Sequence, residues 1–131
     1  MNKIKLIIFV SILFMIFSCN PAKNKNEDLA HIVRLSIITV NPEQLNDYNE
    51  FLKEEIEVSM EREPGVLTLY AVSEKEYPNK IKILEIYANE EAYKNHIQTP
   101  HFQKYKQGTL NMVQDLELID VDPLIPDLKI K

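Results

Sequence analysis

The sequence predicts an α+β fold in which a four-stranded antiparallel sheet carries helices on one face, in the ferredoxin-like order β-α-β-β-α-β. Three observations support this prediction. Four runs rich in β-branched and apolar residues have the length of strands. Two longer stretches have helix-capping residues and apolar side chains at helical spacing. These helical stretches separate the first strand from the second and the third from the fourth, which is the split βαβ arrangement.

The first strand is predicted at His31–Val40, a run of mostly β-branched residues. Asn41 then supplies an N-cap, and Pro42 fits the first position of a helix. Apolar residues follow at spacings of three and four, which gives the helix one apolar stripe: Leu45, Tyr48, Leu52, Ile56 and Met60. Pro64 and Gly65 end this helix.

The second and third strands are predicted at Val66–Ser73 and Lys80–Tyr87, and the polar turn between them indicates a hairpin. Both strands carry apolar residues on both of their faces. Because two helices cover only one face of a sheet, the other face would be left in water. We therefore expect a homodimer formed through this sheet face, or, as the alternative, the tail Pro123–Ile130 folded over it.

The second helical region is predicted over about Asn89–Gln98 and then over about Thr99–Met112. Thr99 followed by Pro100 has the pattern of a new N-cap, so we expect a kink there. The last strand is predicted at Leu116–Val121.

The N-terminus has the pattern of a signal peptide. Lys3 and Lys5 precede the apolar run Leu6–Phe17, which is shorter than the roughly 20 residues of a bilayer span. A small residue precedes Cys19, as in a bacterial lipobox, so we expect a lipid anchor on Cys19 and a location in the bacterial cell envelope. An uncleaved anchor and a plain secretory signal are the alternatives. Signal peptide, tether, folded domain and tail are expected at 1–18, 19–29, 30–122 and 123–131.

Composition excludes several classes of function. The 131 residues form one domain of common size, and a net charge of −5 without a block of like charges argues against a nucleic-acid partner. Only two glycines are present, which excludes a Gly-rich phosphate cradle for a nucleotide cofactor. The single cysteine excludes an internal disulfide and a CxxC metal knuckle.

Residues able to carry chemistry lie mostly in the second half of the chain. Glu85 lies within a strand on a face that should be buried, where a carboxylate needs a partner or a proton. His96 and His101 lie on either side of the predicted kink, and their spacing leaves their relative direction open. No metal-ligand spacing includes them, so we predict no metal site. The aromatic candidates are Tyr70, Tyr87, Tyr93 and Tyr105.

The stretch Glu85–Phe102 resembles the signature of the antibiotic biosynthesis monooxygenase family. A strand glutamate stands two residues before an aromatic, an Ala-containing helix follows, and the motif H-x-x-T-P-H precedes another aromatic. The E-P-G-V element at Glu63–Val66, the position of Tyr105 and the order of elements also fit, over about Ile32–Val121. The resemblance implies a dimeric α+β barrel.

The resemblance further implies a cofactor-independent monooxygenase that oxidises a small phenol or quinol with dioxygen. Heme-degrading relatives use a strand tryptophan and a helix histidine, whereas this chain has no tryptophan, has Tyr87 on the strand and has Lys106 near the histidine position. Isomerase-like relatives act on a phosphorylated substrate, which suits an exported acidic protein poorly. We therefore expect no cofactor.

In this reaction His96 or His101 would take the proton of the substrate, and Glu85 would orient the imidazole. Tyr70 or Tyr87 would donate a hydrogen bond to the substrate oxygen. The pocket would lie between the sheet and the helices, and its other lining residues would be Tyr48, Leu52 and Tyr105. The alternatives are a tethered domain that binds a small aromatic or lipid-derived molecule without turnover, and an isomerase-like member of the family.

Overall fold

The computed structural model describes residues 31–125. Its elements are β1 (Ile32–Val40), a short 3₁₀ turn (Pro42–Gln44), α1 (Leu45–Arg62), β2 (Val66–Ser73), β3 (Lys80–Tyr87), α2 (Glu90–His96), α3 (Pro100–Thr109) and β4 (Val113–Asp120). All four strands pair antiparallel in the order β2-β3-β1-β4, which confirms the predicted α+β, ferredoxin-like fold. The predicted signal peptide and the lipid site at Cys19 lie outside the described residues. Within residues 31–125, no helix is long and apolar enough to cross a membrane.

The second helical region is two helices rather than one kinked helix. Thr99 caps the N-terminus of α3, since its hydroxyl accepts a hydrogen bond from the backbone N–H of Phe102 at 3.3 Å. The second of these helices ends at Thr109, and β4 begins at Val113 instead of Leu116. The strand is longer than predicted because backbone pairing with β1 extends over polar residues that have little strand propensity.

One face of the sheet carries the helices and the core. Alternate residues of β1 and β3 are buried there together with side chains of α1. The core cluster consists of Ile38, Val40, Tyr48, Leu52, Ile81 and Ile83. The buried residues of α1 are Tyr48, Leu52, Glu55 and Ser59. Met60, which the predicted apolar stripe includes, is 45% exposed. The buried side of α1 therefore changes from apolar to polar towards its C-terminus.

The opposite face of the sheet is apolar and lies open in the monomer. A register shift between Val66 and Thr68 places Val66 against the core, whereas Tyr70 and Val72 point away from the helices. Tyr70 is 67% exposed and Val72 is 45% exposed. The tail does not cover this face as far as the structure describes it, because the side chain of Leu124 is fully exposed.

Gly65 allows the start of β2 to approach α2 closely. A Cβ atom at this position would lie 2.5 Å from the Cβ of Ala92, a distance that real Cβ atoms do not tolerate. The carbonyl of Gly65 also accepts a hydrogen bond from the backbone N–H of Ala88 at 2.8 Å. These contacts hold α2, which ends at His96, beside the C-terminal end of α1.

Candidate functional site

Two histidines meet where α2 and α3 join. His96 is the last residue of α2, and His101 is the second residue of α3. The hydroxyl of Thr99 donates a hydrogen bond to the carbonyl of His96 at 2.7 Å, which fixes the turn between the two helices. The two imidazole centroids are 6.4 Å apart. The structure thus brings together the two histidines whose relative direction the spacing left open.

Both imidazoles contact one carboxylate, Glu63, which directly follows α1. Its Oε1 atom lies 3.0 Å from Nδ1 of His96 and 2.5 Å from Nε2 of His101. Burial alone would raise the pKa of Glu63, but the hydrogen bonds from His101 and His96 outweigh it and lower this pKa below its usual value. Glu63 is therefore an ionised acceptor at neutral pH, and each imidazole presents an N–H to it.

A second carboxylate lies on the other side of His96. Glu55 is buried in α1, and its Oε1 is 3.5 Å from Nε2 of His96 and accepts a hydrogen bond from the hydroxyl of Ser59 at 2.8 Å. Burial raises the pKa of Glu55, although the bond from Ser59 and the nearby imidazoles partly oppose this. We call Glu55, Ser59, Glu63, His96 and His101 the histidine cluster.

Glu85 does not contact the histidines. Its carboxylate accepts one hydrogen bond from the hydroxyl of Ser36 and another from that of Tyr87, at 2.8 Å for Tyr87. Glu63, not Glu85, is therefore the residue that orients the imidazoles, and the predicted contact is wrong. We call Ser36, Glu85 and Tyr87 the Glu85 cluster.

Tyr87 connects the two clusters by packing. Its ring lies 5.3 Å from that of His96, measured between centroids. Burial, followed by the neighbouring Glu85 charge, raises the pKa of Tyr87. Its hydroxyl therefore keeps its proton and acts as a hydrogen-bond donor.

The remaining predicted contact residues divide between the two faces of the sheet. The hydroxyls of Tyr48 and Tyr105 are 2.7 Å apart, and burial raises the pKa of Tyr48 to about 12 and also raises that of Tyr105. Leu52 is buried in the same core. Tyr70 lies on the opposite face of the sheet, so the expectation that it lines the same space as Tyr87 is wrong.

The histidine cluster reaches solvent through two of its side chains. Two surface cavities, of about 360 and 290 Å³, lie between α1 and α3 and at the ends of β1 and β4, and neither is lined by the cluster. The side chains of His101 and Glu63 are 15% and 14% exposed, whereas that of His96 is 2% exposed. An incoming molecule therefore reaches the cluster at His101 and Glu63. Contrary to the expectation from motif spacing, Glu63, His96 and His101 are described groups that are placed to hold a metal ion.

Glu55 and Glu63 are not among the site residues that the sequence predicts. The signal that could have found them is their spacing, because Glu55, Ser59 and Glu63 recur every fourth residue and so follow one side of α1. The sequence pattern singles out Glu63 only as part of the turn element E-P-G-V. The nearness of this side of α1 to the histidines depends on tertiary packing.

Comparison with known proteins assigns the chain to a family. The model of the antibiotic biosynthesis monooxygenase family matches residues 32–108. A solved structure of a Bacteroides thetaiotaomicron protein named after this family is 69% identical, with a TM-score of 0.76, and the match covers 77% of this chain and 96% of that one.

More distant structures share the fold. A Lactobacillus acidophilus protein named as a monooxygenase is 28% identical with a TM-score of 0.67 over 72% of this chain, which spans about half (51%) of that relative. A Nitrosomonas europaea protein named after the family is 18% identical over 73% of this chain and 92% of that one, with a TM-score of 0.68. No curated protein matches the sequence. The family match and the 69% identical relative together show that this chain belongs to the antibiotic biosynthesis monooxygenase family.

Proposed function

We propose that the protein is a cofactor-independent monooxygenase that oxidises a small phenol or quinol with dioxygen. The observation that carries the proposal is the contact of His101 with the ionised Glu63 at a point that solvent reaches. A histidine held in this way can ionise a phenol, and the electron-rich phenolate can then react with dioxygen.

The reaction balances without an outside reductant. A phenol with a free ring C–H loses the hydrogens of its O–H and of that C–H, and both leave in water. One oxygen atom of dioxygen forms this water, and the other becomes a new carbonyl on the ring. The substrate thus supplies all four electrons that dioxygen takes up.

His101 is the better placed of the two candidate bases. Its Nε2–H faces Glu63, so its Nδ1 carries the lone pair that accepts the phenol proton. The charge of Glu63 then stabilises the imidazolium that forms. His96 is buried with a carboxylate near each ring nitrogen, which suits a residue that positions Glu63.

Hydroxyl donors on the core side of the sheet suit the second requirement of the reaction, which is to stabilise the substrate oxyanion. Tyr87 and Tyr105 keep their protons because burial raises their pKa values. Preorganised donors of this kind stabilise an oxyanion as its charge develops. We propose that the hydroxyl of Tyr87 turns from Glu85 to hold the substrate oxygen, while Tyr48, Leu52 and Tyr105 form the less polar wall.

Dioxygen uptake tests the proposed reaction. The full-length chain in detergent micelles is offered a panel of hydroquinones and naphthols, next to the variants His101→Gln and His31→Gln. His31 is the matched control because it is an exposed histidine before β1. We expect uptake above the autoxidation rate that His101→Gln abolishes and His31→Gln preserves. Uptake at the autoxidation rate in the wild type, together with saturable binding of the same phenols, would instead favour the binding-domain alternative.

We also propose that the protein is a homodimer through the outer face of its sheet. Tyr70 and Val72 are exposed there, and Leu35, Leu84 and Ile86 are half-buried on the same face. A contiguous apolar face of this kind is unusual on a monomer. Sedimentation equilibrium should give twice the chain mass for the wild type and a smaller mass for Leu84→Glu. A monomeric wild type at micromolar concentration would refute the dimer.

Export and lipid anchoring at Cys19 complete the proposal. The support is the sequence pattern alone: a positive start, a short apolar run and a small residue before the cysteine. Bacterial cells fed a labelled fatty acid should label the wild type and leave Cys19→Ser unlabelled. Equal labelling of both chains would remove Cys19 from the proposal, and labelling of neither would favour a plain secretory signal or an uncleaved anchor.

A further inference from the structure

We propose that Glu63, His96 and His101 form a binding site for a divalent transition-metal ion, with Zn²⁺ as the probe. The carboxylate oxygen and the two ring nitrogens all lie within 4.8 Å of one another. Two imidazoles and one carboxylate are a ligand set that zinc and non-heme iron sites use, with further positions left open for water or substrate.

The present contacts need little change to hold an ion. In a tetrahedral site with metal–ligand distances of about 2.1 Å, neighbouring ligand atoms lie about 3.4 Å apart. The oxygen of Glu63 now lies 3.0 and 2.5 Å from the two nitrogens. A shift of the carboxylate by less than about 1 Å lengthens both distances to this value, and the two nitrogens, which lie within 4.8 Å of each other, complete the ligand set.

A carboxylate outside the ligand set supports the same site. When Nδ1 of His96 binds a metal, its proton moves to Nε2, which lies 3.5 Å from Oε1 of Glu55. Histidine ligands of metals commonly donate their other N–H to a carboxylate in this way. Ser59 donates to Glu55 at 2.8 Å and so holds the carboxylate in place. The cluster thus contains both the ligands and the support that orients one of them.

Metal binding and the proposed proton transfer exclude each other. A metal ion on Nε2 of His101 takes the place of the proton that faces Glu63, and the positive ion prevents the ring from gaining another proton. We therefore expect Zn²⁺ to inhibit phenol oxidation. The binding itself does not rest on the oxygenase activity and is measured without any substrate.

Calorimetric titration of Zn²⁺ into the untagged full-length chain tests the site. We expect one equivalent to bind with submicromolar affinity near neutral pH. His101→Gln and Glu63→Gln each remove a ligand and should weaken binding by about 100-fold or more. Glu55→Gln removes the support of His96 and should weaken binding by about 10-fold. His31→Gln is the control and should bind like the wild type.

A measurement on the wild type alone covers the case in which a variant fails to fold. One equivalent of Zn²⁺ should shift the ring ¹⁵N resonances of His96 and His101 and leave those of His31 unchanged. A folded wild type that binds no Zn²⁺ would overturn the proposal. Binding that His101→Gln leaves intact, or ring shifts confined to His31, would place the ion elsewhere and would also overturn it.

Discussion

The histidine cluster and the Glu85 cluster are each built around a carboxylate that accepts two hydrogen bonds, but the donors differ. In each, one half-buried carboxylate accepts hydrogen bonds from two other side chains. Glu63 is held by two imidazoles, whereas Glu85 is held by the hydroxyls of Ser36 and Tyr87. The two clusters touch where the ring of Tyr87 packs against that of His96.

Because one cluster has imidazole donors and the other has hydroxyl donors, we expect the two clusters to have different chemical roles. A neutral imidazole has one ring nitrogen with a free lone pair, so the histidine cluster is suited to proton transfer near neutral pH. A tyrosine whose pKa is raised by burial keeps its proton throughout that range, so the Glu85 cluster supplies fixed donors. The imidazole that accepts a proton and the hydroxyls that donate hydrogen bonds thus lie in adjacent clusters, and they do not compete for the same proton. Changes in the first cluster should therefore affect proton transfer, and changes in the second should affect binding and stability.

The largest effect is expected from His101→Gln, which removes the proposed base and leaves the Glu85 cluster intact. General base catalysis typically contributes about 10²- to 10⁴-fold, so kcat/KM for phenol oxidation should fall by that factor near neutral pH. Above the pKa of the substrate phenol the deficit should shrink, because the phenol ionises without help. A pH profile of oxygen uptake measures both effects. A deficit that stays constant across the profile would show that His101 acts in some way other than as the base.

Gly65→Ala should disturb the histidine cluster more than the Glu85 cluster. The added Cβ would meet the Cβ of Ala92 at 2.5 Å, so α2 and His96 must shift away from β2. Overpacking of this kind costs about 1–3 kcal/mol of unfolding free energy, which urea denaturation measures. Gly108→Ala is the matched control, since its Cβ would meet only the ring of Phe51. Equal losses in the two variants would contradict the view that rigid packing at Gly65 positions α2.

The fold could be predicted from the sequence because its signals are local. The caps at Asn89 and Thr99 hold as predicted, since each side chain accepts a bond from a backbone N–H near the start of its helix. Asn41 accepts a bond from the backbone N–H of Glu43 and so caps the 3₁₀ turn before α1 rather than α1 itself. The start of β4 could not be predicted in the same way. Gln114 and Asp115 near its start are polar, and they become part of the strand by pairing with β1 rather than by propensity.

The site was predicted in its residue types and only partly in its contacts. His96, His101, Glu85 and Tyr87 lie on the core side of the sheet, but pairing Glu85 with the histidines was wrong. Strand alternation shows which face a side chain occupies and says nothing about which helix residue it meets. The partner, Glu63, comes from the end of another element, and only the packing of α1 beside α2 brings it to the histidines.

Glu63→Gln should alter the acid side of the stability profile. The folded state lowers the pKa of Glu63, so its contribution is present above the unfolded value of about 4.5 and is lost as pH falls through the lower folded value. The variant should lose about 1 kcal/mol near pH 7, a modest loss because the side chain reaches solvent, and should lose less additional stability below pH 4 than the wild type. Urea denaturation of both chains from pH 7 to below pH 4 measures this difference in stability. Glu57→Gln changes an exposed site on the preceding helix α1 and should follow the wild type. Parallel profiles for Glu63→Gln and the wild type would refute the prediction.

The smallest effect is expected from Glu55→Gln, and it should have the opposite dependence on pH. Burial raises the pKa of Glu55 in the folded state, so the folded chain binds this proton more tightly than the unfolded chain does. Wild-type stability should therefore fall as pH rises from about 4.5 through the raised pKa, and the variant should lack this fall. Gln keeps an oxygen that can accept the bond from Ser59, so the overall change should stay within about 1 kcal/mol. Denaturation at several pH values between 4 and 8 measures the difference. The contrary result is a variant that becomes steadily less stable than the wild type as pH rises. It would mean that Glu55 is ionised and stabilised by His96, so that both carboxylates of the cluster would be equivalent partners of one imidazole.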